Sequence, residues 1–207
     1  MWNFLNLVLL LASIVLIIVV AVMTKRHGKQ QDAKNRRFLE EEQAANLARK
    51  REIEPELFFY ANLDGLPRIP ESDPHKVLRT SKRTMIRFDM PESNVDLKKR
   101  YGVGQLDSIT QYEENYHDFL KSLGEWAQAL HDQGNVDGSL QVLEYAIELG
   151  TEFRGAYRLA ADIYAYERDV YALEQLLQMA EDNHFNDSAM QEHVLSYIEE
   201  KIGDLRV

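Results

Sequence analysis

Apolar residues are distributed along this chain in distinct stretches, and each stretch predicts a different element. From Leu7 to Met23 every residue is apolar except Ser13, and no charged side chain occurs before Lys25. Counted from Phe4, that run is about 20 residues, which as a helix spans about 30 Å, the thickness of a bilayer's hydrocarbon core. A helix satisfies its own backbone in lipid, so residues 1–24 are expected to form one transmembrane helix. A cleaved signal peptide would need a charged start, a shorter apolar core and small residues before the cut. The uncharged start, the long run and Met23 favour the anchor instead. Residues 25–54 are polar and dominated by good helix formers, with no heptad held over several turns, so they predict a solvated helical stalk.

Residues 55–110 read differently. Pro55, Pro67, Pro70 and Pro74 mark irregular chain, yet Leu57, Phe58, Phe59, Tyr60, Leu63, Leu66 and Ile69 lie among them. Such a cluster is too apolar for a free linker and is expected to dock on the domain that follows. Met85-Ile86-Arg87-Phe88 alternates as a short extended segment does. Ser93 and Asp96 predict a short capped helix ending at Tyr101, followed by a turn at Gly102-Val103-Gly104.

From Gln111 to the end the spacing is helical throughout, and the pattern repeats at an offset of 34. Trp126 and Ala127 align with Ala160 and Ala161, Leu130 with Tyr164, Leu143 with Leu177, and Ala146 with Ala180. Each unit reads as two antiparallel helices joined by a tight turn, at Gln133-Gly134-Asn135 and at Glu167-Arg168-Asp169. Small residues stand where helices approach closely, and larger apolar ones fill the gaps between them. Ser188 to Leu205 begins a third unit and stops after one helix, as a terminal cap does.

This arrangement resembles the tetratricopeptide repeat family, which has the same period and the same helix–turn–helix unit. The residues that carry the likeness are Trp126, Ala127, Leu130, Gly134 and Ala146 in the first unit, and Tyr157, Ala161, Tyr164 and Ala180 in the second. Departures are Thr151, where the family has Pro after the second helix, and Leu173, where it has a small residue. The resemblance implies an α-solenoid of two hairpins plus a capping helix over residues 111–207, which with the transmembrane helix read from the apolar run makes the expected fold all-α. It also implies a ligand groove lined by first-helix residues, here Lys121, Gln128 and His131, then Arg158, Asp162 and Tyr166. The alternative for those six is a solvated helix face. Gly124 and Gln128 stand where the family's carboxylate clamp needs Lys and Asn, so that use does not carry over.

Charge changes the picture more than composition does. Residues 1–54 hold nine basic and six acidic side chains, residues 55–111 nine and eight, and residues 112–207 six and twenty, giving +3, +1 and −14. Lys25, Arg26, Lys29, Lys34, Arg36 and Arg37 follow the apolar run, so the positive-inside rule puts the amino terminus outside and the rest in the cytoplasm. The acidic repeat favours a basic partner by electrostatic steering, or serves solubility.

Chemistry is sparse. The absence of Cys excludes thiolate chemistry and agrees with a reducing compartment. The six His residues form no zinc-binding pair, and neither a nucleophile elbow nor a phosphate loop occurs. The expectation is therefore a membrane-anchored scaffold for a protein or peptide partner, with no catalytic residue, metal, cofactor, nucleic acid or small-molecule substrate indicated. An assembly factor or subunit of a larger membrane complex is the alternative, with a membrane-bound enzyme lacking any recognisable motif behind it. A sharper form of the scaffold idea lets residues 58–69 occupy the groove as an internal ligand.

Overall fold

The structure, a computed structural model, describes residues 34–69, 73, 75–88, 92–183 and 185–206. The expected membrane helix of residues 1–24 lies outside these, and among the described residues no helix is long and apolar enough to cross a membrane. In chain order the elements are α1 (34–46), a 3-10 turn (Pro55–Leu57), β1 (Phe58–Phe59), α2 (Val77–Thr80), β2 (Met85–Ile86), α3 (Asn94–Tyr101), α4 (Val103–Asp132), α5 (Val136–Glu148), α6 (Arg154–Glu167), α7 (Val170–Asp182) and α8 (Ser188–Arg206). The class is all-α: the two strands, each of two residues, form a minimal antiparallel pair with Phe58 opposite Ile86 and Phe59 opposite Met85.

The chain divides into two compact units. One holds the described residues up to Arg51 together with Ser93–Gly104, and the other holds Glu52–Glu92 with Gln105–Val207. In the first, the Ser93 hydroxyl caps α3 by accepting the Asp96 N–H at 3.2 Å, and Leu97 and Tyr101, one turn apart, are buried. α1 stops at residue 46, short of the stalk expected over residues 25–54, and it does not stand free in solvent. Ala45 is fully buried, Glu42 pairs with Lys98, Glu41 lies 3.4 Å from Lys99, and the Arg51 N–H donates to the Tyr101 carbonyl at 2.9 Å. The turn expected at 102–104 shrinks to Gly102, because α4 starts at Val103, eight residues before the helical pattern becomes legible.

The core of the second unit is built on α4. Tyr116, Phe119, Leu123, Trp126 and Leu130 recur every three or four residues, and all are buried. The same cluster takes in Leu143, Ala146 and Ile147 of α5, Tyr157, Ala160 and Ala161 of α6, Leu173 and Ala180 of α7, and Val194 and Ile198 of α8, which packs on α6 and α7. The irregular segment completes this core. The Phe59 ring sits edge-on to Tyr116 at 5.0 Å and 6.1 Å from Phe119, and Leu63, Leu66 and Ile69 pack on the same cluster. Residues 76–86 are tied down by polar contacts: the Thr80 and Ser122 hydroxyls lie 3.0 Å apart, Asn115 donates to the Thr84 carbonyl, and Arg83 pairs with Asp118 at 2.7 Å.

The 34-residue offset recurs in backbone geometry. α5 and α7 start and end 34 residues apart, as α6 and α8 do at their starts. The Asn135 side chain accepts the Gly138 N–H at 3.1 Å, and that of Asp169 accepts the Ala172 N–H at 2.9 Å. Before each cap one residue is left-handed, Gly134 at φ 81° and Arg168 at φ 58°. The next N–H then reaches back five residues, Asn135 to the Leu130 carbonyl and Asp169 to that of Tyr164, both at 2.9 Å. Gly134 adopts this conformation without cost, whereas Arg168 pays about 1 kcal/mol for its Cβ.

Candidate partner-binding groove

Of the six predicted groove residues, the structure brings three together. Gln128 from α4 and Arg158 and Asp162 from α6 line one open groove of about 780 Å³, with Phe153, Arg154 and Met190. Lys121, His131 and Tyr166 do not line it. Lys121 lies 4.0 Å from Glu125 and His131 lies 3.9 Å from Asp132, each a neighbour on its own helix. Tyr166 is 91% exposed at the far end of α6. The repeat-defining residues occupy other places: Trp126, Ala127, Leu130, Ala146, Tyr157, Ala161 and Ala180 are buried, Gly134 makes the first turn, and the half-buried Tyr164 donates to Glu144 at 2.7 Å.

Two glycines make room for the groove's aromatic side chain. A Cβ at Gly124 would stand 2.7 Å from Phe153 Cδ1, and one at Gly155 would stand 2.7 Å from its Cε1. The Phe153 ring therefore lies against two helix backbones while keeping 44% of its surface exposed. Gly124 and Gly155 together thus seat this ring.

Two of the lining residues, Arg158 and Asp162, belong to an ionic network between α6 and α8. The Arg158 guanidinium lies 4.5 Å over the Tyr197 ring, and Lys201 Nζ lies 5.0 Å from it. The Tyr197 hydroxyl and Lys201 both donate to Asp162 Oδ1 at 2.7 Å. Partial burial pushes the Asp162 carboxyl up, but those two hydrogen bonds and the charges of Lys201 and Arg158 outweigh it and hold it below its ordinary range. At the other side Glu152 is engaged by the backbone N–H and the side-chain amide of Asn186, at 2.8 and 2.7 Å. Both groove carboxylates are thus occupied internally, while Arg154 and Arg158 line the same groove.

A smaller recess of about 220 Å³ lies among Arg87, Glu113, Tyr116, His117 and Asn183. Burial raises the Glu113 carboxyl, with His117 opposing, and raises the Tyr116 phenol to about 12. That phenol is committed to the Leu149 carbonyl at 2.5 Å. Among the described residues no group of three His, Asp or Glu is placed to hold a metal ion.

Phe153, Met190, Tyr197 and Lys201 were not foreseen. Phe153 precedes α6 rather than lying on it, and the other three sit on α8, which sequence reads only as a cap. A usable signal was the pair Arg158 and Asp162 at i, i+4 on one helix, with Tyr197 and Lys201 at the same spacing on another. None of residues 58–69 lines the groove, so the internal-ligand idea gives way: that segment packs on Tyr116 and Phe119 as part of the core. The chain matches no protein-family profile, no curated protein and no solved structure.

Proposed function

We propose that this chain is a single-pass membrane-anchored scaffold whose tetratricopeptide-like module holds a segment of a protein partner in the groove formed by α4, α6 and α8. The observation that carries the reading is the groove itself. Three helices that occupy the first-helix position of successive 34-residue units converge on one surface, and that surface offers an exposed aromatic ring beside two arginines. The recurring caps and turns support the repeat reading, because two equivalent helix pairs stack in one manner and place their first helices side by side. The membrane anchor rests on the apolar run of residues 1–24 and the cations after it.

Site-specific photocrosslinking in native membranes tests the groove. A crosslinker at Gln128 or Met190 is expected to capture one partner that a crosslinker at Asp204 does not, and Arg158→Glu is expected to remove that adduct. Equal capture from all three positions, or an adduct indifferent to Arg158→Glu, would sink the assignment. Protease protection of sealed vesicles tests the topology, since a cytoplasmic module is shielded in intact cells.

A further inference from the structure

The acidic charge of residues 112–207 does not collect in the groove, where Arg154 and Arg158 offset Glu152 and Asp162. Two of its carboxylates, Glu144 and Glu148, line a separate cleft of about 260 Å³ between α5 and α7. Met179 and Ala172, both partly exposed, give that cleft apolar walls over the buried Ile147 and Leu176, and Glu144 and Glu148 stand one turn apart on its α5 side. The Tyr164 hydroxyl donates to Glu144 Oε1 at 2.7 Å and so fixes the direction of that carboxylate. Glu148 makes no ion pair among the described residues, and Tyr171, at the α7 side, is 71% exposed. A large aromatic ring left in water beside an apolar cleft is a surface that lacks its cover.

We propose that this cleft takes a lysine- or arginine-bearing segment of a protein partner, with the aliphatic stem on Met179 and Ala172 and the cationic head on Glu144 and Glu148. Charge complementarity selects that occupant. A purely apolar side chain would strip water from two carboxylates and return nothing to them. An anionic one would meet like charge at close range. A long basic side chain presents hydrocarbon and cation in the order the cleft requires, and the Tyr171 ring adds a face for the cation. The site uses residues that the groove does not, so it stands or falls independently of the groove reading.

The test is fluorescence anisotropy on the full chain in detergent. The probe is a fluorescein-labelled peptide of Leu and Lys at helical spacing, compared with the same peptide carrying Glu for Lys. The Lys peptide is expected to bind and the Glu peptide not to. Glu144→Gln with Glu148→Gln is expected to weaken binding about tenfold, whereas Glu199→Gln with Glu200→Gln, which removes the same charge from α8, costs less than about twofold. Tyr171→Ala, at an exposed position that does not threaten folding, is expected to weaken binding by about threefold. Equal losses in the two double variants would reveal diffuse attraction and overturn the proposal. So would unchanged affinity in Tyr171→Ala and the cleft pair, comparable binding of the Glu peptide, or no binding of the Lys peptide.

Discussion

At the scale of single residues, the groove depends on an absent side chain. Gly124 lies mid-helix, where glycine costs about 1 kcal/mol relative to alanine. The alanine Cβ would stand 2.7 Å from the Phe153 ring, which cannot stay where it is. That ring is the free end of a half-exposed side chain and can swing outward, so the clash is relieved without moving backbone. Gly124→Ala is therefore expected to keep its stability within about 1 kcal/mol of the parent in urea unfolding, yet to lose the groove adduct as fully as Phe153→Ala does. A variant that binds normally would show that the seated ring is irrelevant. Glu113 carries the opposite kind of signature. Burial raises its carboxyl, so the folded state prefers the neutral form; the resulting stability is present below the unfolded value near 4.5 and is lost as pH rises through the folded value. Glu113→Gln, which keeps the neutral shape, should melt higher than the parent at pH 7 and together with it near pH 4, by thermal scans at both.

At the scale of elements, the two short helices α5 and α7 offer a matched comparison. Each begins with a side-chain oxygen, from Asn135 or Asp169, accepting an N–H three residues on. Replacing either by Ala is expected to cost about 1 kcal/mol in denaturant unfolding, with nearly equal losses, because the turns preceding them are equivalent in their hydrogen bonds. Losses differing by more than about twofold would mean that the two hairpins are not equivalent units. This recurrence was legible in the sequence, since Trp126, Ala127, Leu130 and Ala146 share a period with their partners and that period is also the one the backbone obeys. The Ser93 cap and the extended Met85-Ile86 were legible for the same reason, namely that the cause lies within a few residues. What escaped had a distant cause. Gly102 and Gly104 read as a turn, yet Gly104 sits inside α4. The polar face of α1 reads as solvated, yet Glu41 and Glu42 meet Lys98 and Lys99 more than fifty residues away. Three of the six predicted groove residues, Gln128, Arg158 and Asp162, line one surface; Phe153 and Met190, which complete it, are marked by no period.

At the scale of the whole molecule, the question is how so few helices hold a core together. Helical repeat stacks usually need three or more units to bury a continuous core, and the second unit's described residues hold two helical hairpins and one terminal helix. The irregular segment supplies cover. Phe58 and Phe59 meet Tyr112, Tyr116 and Phe119 on α4, the Asn62 N–H donates to the Tyr145 hydroxyl at 3.2 Å, and Leu63, Leu66 and Ile69 join the same cluster. Docked so, the segment covers the α4 face that carries Tyr112, Tyr116 and Phe119. Its removal must then act on stability before it acts on binding. Phe59 is only partly buried, so Phe59→Ala is expected to cost about 2–3 kcal/mol, somewhat under the 3–5 of a fully enclosed phenylalanine. The loss is expected as a lower urea midpoint with an unchanged slope. Were the segment instead a ligand lying in the groove, the same substitution would leave the midpoint in place and strengthen capture of a partner at Gln128. Measuring both quantities on one variant separates the two roles, because a structural cover moves the midpoint and a competitor moves only the affinity.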